Sequence, residues 1–128
     1  MADRTLLQFD YEEVHGRIVS RVVGRRDGPA GWASIALVIE DRAIVLRVDD
    51  NTDEIVVTLE GASDLPSDWT KVAEIADVVG SALGWCWIGR NYLGYLDMFT
   101  LSFSGVNPQV CFLGEASTLT IKHIIATC

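Results

Sequence analysis

The feature that most constrains this chain is a two-residue alternation of apolar and polar side chains, interrupted at short intervals by turn signals. Ile44, Leu46 and Val48 alternate up to the polar tip Asp49-Asp50-Asn51-Thr52-Asp53, and Ile55, Val57 and Leu59 alternate on the return. Successive side chains of a strand point to opposite faces, so each set lines one face and the two runs predict a hairpin. Residues 16–25 are rich in β-branched side chains and stop at Asp27-Gly28-Pro29-Ala30-Gly31, a strong turn. Residues 32–39 form a nearly continuous apolar run, which predicts a central strand.

Four more strands are expected over 84–90, 95–103, 109–113 and 118–125. Tyr95, Asp97, Phe99, Leu101 and Phe103 share one face of the second, and Leu119, Ile121, His123 and Ile125 one face of the last. The valine-rich run is ambiguous, because Val14, Ile18, Val19, Val22 and Val23 also fit a helical stripe; Gly16, Gly24 and the β-branched content favour a strand. A short helix over 5–14 is compatible with the pattern. The clearest helix signal is Pro66-Ser67-Asp68 followed by Trp69, Val72, Ala73, Ala76 and Val79, with Gly80 or Gly84 as its end. The expected class is α+β, mainly β: about eight antiparallel strands in a curved sheet, sandwich or partly open barrel, with one or two short helices. No repeat or linker interrupts residues 1–128, which read as a single domain.

Hydrophobic residues make up 49% of the chain and the mean hydropathy is +0.25, both high for 128 residues. That excess predicts a second copy of the chain covering part of the apolar surface, a homodimer. The net charge of −8 is confined to one stretch. Residues 49–77 hold nine acids against Lys71 alone, while the acids and bases on either side cancel. Such a stretch can be a solvated acidic face or a docking face for a basic protein partner, built on Asp49, Asp50, Asp53 and Glu54. Nucleic acid is an unsuitable partner, because phosphates need a basic surface. The longest apolar run is far short of the roughly 20 residues that span a bilayer, so no membrane is expected. Three cysteines without metal-ligand spacing, and an N-terminus without a signal-peptide core, point to the cytoplasm.

The patterns that carry chemistry are thin. Asp49, Asn51, Asp53 and Glu60 fall at ligand positions of a calcium loop, but Glu54 occupies the position that needs glycine and the flanks alternate as strands. Cys86 and Cys111 sit among apolar neighbours and read as inert buried thiols, leaving Cys128 as the exposed one. His123 reads as a core histidine; His15, His123 and Asp97 are the only acid–base groups an enzyme could use. No cofactor or metal site is expected. The most distinctive run is residues 84–97, with Trp85, Trp87, Tyr92 and Tyr95 in one hairpin. Its aromatics can fill a core or dimer interface, or form a stacking platform in which Trp85, Trp87 and Tyr95 are joined by the polar Arg90, Asn91 and Asp97.

The segment Leu-Gly-Trp-Cys-Trp-Ile from Leu83, with Asn91, Gly94-Tyr95 and Asp97, resembles a family of small uncharacterised bacterial proteins with a domain of unknown function. Asp53-Glu54-Ile55 and Glu115-Ala116-Ser117 look similar too. The resemblance implies a bacterial cytoplasmic protein and brings no activity or site with it. The expected function is therefore a non-enzymatic interaction module, in its most concrete form an acidic, immunity-like protein that neutralises a basic partner. The alternatives are a small-ligand-binding β domain using the aromatic hairpin, and an enzyme.

Overall fold

The computed structural model describes residues 7–29, 31–49 and 51–124. Among them nine antiparallel strands form one curled sheet, open along one side like a half-barrel. The strands are β1 (Arg21–Arg26), β2 (Trp32–Ile39), β3 (Arg42–Val48), β4 (Ile55–Gly61), β5 (Thr70–Lys71), β6 (Leu83–Arg90), β7 (Leu96–Phe103), β8 (Val110–Glu115) and β9 (Thr118–His123). They run in the order β4-β3-β2-β9-β8-β7-β6, with β1 on β2 and the short β5 on β1.

β2 is the hub, and its sequence explains why. Ser34–Ile39 pairs with β3, Trp32–Val38 lies along β1, and Trp32 also pairs with Leu119 of β9, so the sheet forks at Trp32. Every residue of β2 but Ala33 is buried. Ile35, Leu37 and Ile39 face the main core with Ile44, Leu46, Phe99, Leu101 and Phe112. Ala36 and Val38 face the other way and join Ala43 and Val45 in a second, smaller core. Val23, Ala62, Leu65 and Trp69 cover that second layer. The chain leaving β4 therefore crosses the back of the sheet to reach β1, where β5 pairs at Val23 and Gly24. A strand buried on both faces has no polar side to alternate with, hence the unbroken apolar run.

The N-terminal segment bridges the two free edges. Leu7 bridges Val57 of β4, and Gln8 donates its amide to the Val57 carbonyl at 2.8 Å. Further on, Gly16 and Leu83 are joined by a 2.8 Å hydrogen bond, and Ile18 bridges Ala82 before β6. Between these contacts Val14 is fully buried, so the segment is part of the core wall.

Two expected helices take other forms. Over 5–14 the described part holds only a 3-10 turn, Tyr11–Glu13, whose Glu12 amide is met by the Asp10 side chain (N to Oδ1, 3.1 Å). The stretch after Pro66 becomes β5 followed by a 3-10 segment, Ala73–Val78, with Ile75 off helical geometry at φ −126° and ψ 31°. Val72, just before it, and its own buried Ile75 and Val78 recur at a spacing of three that matches the 3-10 repeat. Pairing to β1 (Val72 N to Val22 O, 3.0 Å) overrides the α-helical signal. The valine-rich run is a strand only from Arg21 onward. Ile125, placed on the face of the last strand, lies outside the described residues.

Trp32 is 1% exposed, and its indole Nε1 donates to Glu74 Oε2 at 3.0 Å. Arg26 stacks its guanidinium 4.2 Å from the Trp32 ring centroid and pairs with the same carboxylate at 3.2 Å. Burial works against the Glu74 charge, but the Trp32 hydrogen bond, its own backbone amide and Arg26 outweigh it and hold the carboxyl below its usual value. A carboxyl depressed in the folded state adds stability above its unfolded pKa, and that contribution is lost as the pH falls through the folded value. Glu74→Gln is thus expected to flatten part of the acid-side loss in denaturation midpoint relative to wild type, measured by urea titration across the carboxylate range. Gly114 provides a second test, since a Cβ there would run into the backbone carbonyl of Asp53, whereas one at Gly105 would meet open space. Gly114→Ala should lose about 1–3 kcal/mol of stability to overpacking. Gly105→Ala should stay within about 0.5 kcal/mol by the same titration.

Candidate functional site

The aromatic hairpin is β6–β7. Cys86 pairs with Leu101, Trp87 with Thr100, Ile88 with Phe99 and Gly89 with Met98, with irregular register between Leu83 and Cys86 and again after Gly89. Paired residues share a side of the sheet. Because Phe99 and Leu101 face the main core, Trp87 and Met98 stand on the outer face. The rows continue across the sheet: Trp87, Thr100, Cys111, Lys122, and then Gly89, Met98, Leu113, Thr120. This outer face therefore carries Trp87, Met98, Cys111 and Leu113, where an antiparallel sheet with one wet side normally places polar residues.

The register irregularity gives Trp85 a separate environment. Ser102, wholly buried, accepts the Trp85 amide at 2.7 Å and donates to the Gly105 carbonyl at 2.6 Å, which pins the distorted backbone. Trp85 itself is 56% exposed. With Tyr11, Glu12, His15 and Cys86 it lines a recess of about 240 Å³. Tyr11 donates to the Gly84 carbonyl at 2.9 Å, and its ring lies 6.4 Å from that of His15. Burial, with a smaller contribution from Cys86, pushes the Tyr11 phenol well above its usual value, and burial also raises the Cys86 thiol. Both stay protonated near neutral pH, so this recess can hold a ligand by shape and stacking but offers neither a phenolate base nor a thiolate nucleophile.

The polar residues of the hairpin build its turn. Asn91 Oδ1 accepts the amides of Leu93 (2.9 Å) and Tyr95 (3.2 Å), its Nδ2 donates to Asp97 Oδ2 (3.1 Å), and Gly94 adopts φ +87°. Asn91 and Asp97 are thereby engaged within the hairpin rather than presented beside Trp85 and Trp87. Tyr95 is half-buried and Arg90 exposed, while Tyr92 (94%) and Leu93 (63%) form the exposed tip.

The acidic tip divides in the same way. Asp49 is exposed and its Oδ1 accepts the Asn51 amide at 2.8 Å, an Asx turn. Asp53, at φ 61°, accepts the Ser117 amide at 2.7 Å and so ties the β3–β4 tip to the β8–β9 turn. Glu54 is 7% exposed and accepts the Leu96 amide at 3.0 Å, joining β4 to the start of β7. Glu54 therefore cannot belong to a solvent-facing acidic surface; it is a connector between the two halves of the sheet. Asp50 lies outside the described residues.

His123 is exposed, with Nε2 2.8 Å from the Glu74 carbonyl oxygen, not buried in a core. Cys86 is half-buried and Cys111 buried on the outer face, while Cys128 lies outside the described residues. His15, His123 and Asp97 take unrelated partners, namely Tyr11, Glu74 and Asn91. Among the described residues no three His, Cys, Asp or Glu side chains are grouped to hold a metal, and no helix is long and apolar enough to cross a membrane. Sequence reasoning missed Tyr11 and the Arg26–Trp32–Glu74 cluster, since no local spacing links residues so far apart.

The family model described as "Family of unknown function (DUF6334)" matches residues 1–127, and the chain belongs to that family. No curated protein and no solved structure matches it. If Glu54 is a connector rather than a docking charge, Glu54→Ala should strand the Leu96 amide and cost about 1–3 kcal/mol. Asp49→Asn, which preserves the turn acceptor, should change stability by less than about 0.5 kcal/mol, with thermal denaturation as the measurement.

Proposed function

We propose that this member of the DUF6334 family is a non-enzymatic protein-interaction module, and that the outer face of β6–β9 docks a second copy of the chain. The observation that carries this is the apolar row structure of that face: Trp87 beside Thr100 and Cys111, and Met98 beside Leu113. Thr100 and Cys111 are only 5% and 7% exposed although they lie outside the main core. On this face Met98 is exposed and Trp87 half-exposed, and the hairpin tip beyond it exposes Tyr92 and Leu93. Apolar side chains exposed together on a sheet face mark an interaction site more often than a solvated wall.

Charge distinguishes a second copy from a basic partner. A twofold interface sets a patch against itself, so a patch of one sign would repel its copy. The part of the chain after residue 77 holds Asp97 and Glu115 against Arg90 and Lys122 and is neutral, while residues 49–77 carry the whole −8. The acidic tip and the acid that follows β4 are far apart. Asp49 and Asp64 lie beyond opposite ends of the β3–β4 hairpin, whose strands have seven residues each. Seven residues of strand separate such ends by roughly 23 Å. The geometry thus favours self-association over an acidic dock.

Light scattering coupled to size exclusion is expected to give twice the 14.0 kDa chain mass at micromolar concentration. Met98→Asp combined with Leu113→Lys should return a monomer with an unchanged far-ultraviolet spectrum. A monomeric wild-type protein would overturn the proposal.

A further inference from the structure

Beyond this interface, we infer that the groove between β1, β5 and the 3-10 segment Ala73–Val78 is a binding site for a small amphipathic anion, an apolar body carrying a carboxylate. The groove encloses about 520 Å³ and is lined by Arg21, Val23, Lys71, Val72 and Val79 among others. That volume falls within the roughly 300–1,000 Å³ of ordinary small-molecule sites.

The sheet register explains how two cations come to stand together at this groove. Lys71 pairs with Val23, and Arg21 lies two residues from Val23 on the same strand. Arg21, Val23 and Lys71 therefore share one side of the sheet, with Arg21 and Lys71 as diagonal neighbours, roughly 7–8 Å apart at that spacing. Like charges placed this way repel unless an anion lies between them. Among the described residues neither Arg21 nor Lys71 makes an ion pair or a side-chain hydrogen bond, whereas Arg17, Arg26 and Arg47 each hold a glutamate. Of the two acids on the neighbouring segment, Glu74 is turned to Arg26 and Trp32, Asp77 is exposed, and neither is among the lining residues.

The floor supplies the other half of the recognition. Val72 N–H bonds to Val22 O at 3.0 Å and Gly80 N–H to Val19 O at 2.8 Å, so the segment between them arches away from β1 and leaves the gap. Val79, on the far lip, is 42% exposed, an apolar side chain without cover. Ser20 cannot serve as the anion's donor, since its hydroxyl is committed to the Val38 carbonyl at 3.1 Å. The charge-assisted contacts fall to Arg21, whose guanidinium can grip a carboxylate in bidentate fashion, and to Lys71. Lys71 is the only cation in the acidic stretch, and the site gives that exception a role.

The test uses the full chain with octanoate, octylammonium and inorganic phosphate as probes, read by amide chemical shifts of Val22, Val72 and Val79. Octanoate should saturate these shifts in the millimolar range or below, octylammonium should leave them unmoved, and phosphate should bind more weakly than octanoate. Arg21→Gln and Lys71→Gln, both at exposed positions, should each weaken octanoate about tenfold, in keeping with loss of one charge-assisted hydrogen bond. The inference is overturned if octanoate causes no saturable shift, if octylammonium binds as well, if phosphate matches octanoate, or if Arg21→Gln combined with Lys71→Gln keeps wild-type affinity. The dimer contacts proposed above lie on other strands, so Met98→Asp should leave octanoate binding intact.

Discussion

The requirement that β2 bury both of its faces governs the rest of this fold. A sheet normally needs one cover; here Ile35, Leu37 and Ile39 need the main core, while Ala36 and Val38 need a second one. The second cover is supplied by the crossing after β4, whose Ala62, Leu65 and Trp69 pack over Ala36, Val38, Ala43 and Val45. Two alanines in that layer let the crossing lie close to the sheet. Burial of each larger aliphatic contributes roughly 1.5–3 kcal/mol. The main core, with Phe99, Phe112 and many leucines and isoleucines, therefore dominates stability, and the second layer chiefly fixes the path of the chain. That path delivers β5 to the outer edge of β1 and arches residues 73–79 over it, which is how the Arg21–Lys71 groove arises.

The fork at Trp32 imposes a second requirement. Where β3 gives way to β9 along one edge of β2, the large indole of Trp32 is buried, and its N–H must find an acceptor once water is excluded. Glu74 meets it and is in turn held by Arg26, while the Glu74 carbonyl receives His123 of β9. Three separate parts of the chain converge on one residue of the 3-10 segment. An α-helix over the same residues would spread Val72, Ile75 and Val78 over an arc of about 120°, whereas the 3-10 repeat stacks them in one inward line.

Much of the fold is legible in local pattern. The hairpin of β3 and β4, the limits of β2 and the succession from β6 to β9 follow from period-two alternation and turn residues, both of which act between near neighbours. The candidate site is less legible for a physical reason. Glu54 and Asp49 have the same charge and nearly adjacent positions, yet one is sealed against the Leu96 amide and the other points to water. Asn91 and Asp97 look like binding groups beside tryptophans, but each satisfies the other within the turn. The Glu54 partner lies 42 residues away, which spacing cannot reveal, and the Asn91–Asp97 pair, although local, forms only once the turn between β6 and β7 is closed.

The amino-acid sequence by itself determines the strand grammar, the confinement of all −8 charges to residues 49–77, and the concentration of aromatics between Gly84 and Asp97. Only the tertiary structure decides that the sheet forks at Trp32, that residues 7–19 reach both free edges, and that Val72, Ile75 and Val78 turn inward with a repeat of three. It also sets Trp87, Met98, Cys111 and Leu113 on one outer face and draws Arg21 and Lys71 together. The difference is one of range. Alternation and turns are settled by a residue and its immediate neighbours, whereas a shared face or a common partner is settled by strand register across the whole chain.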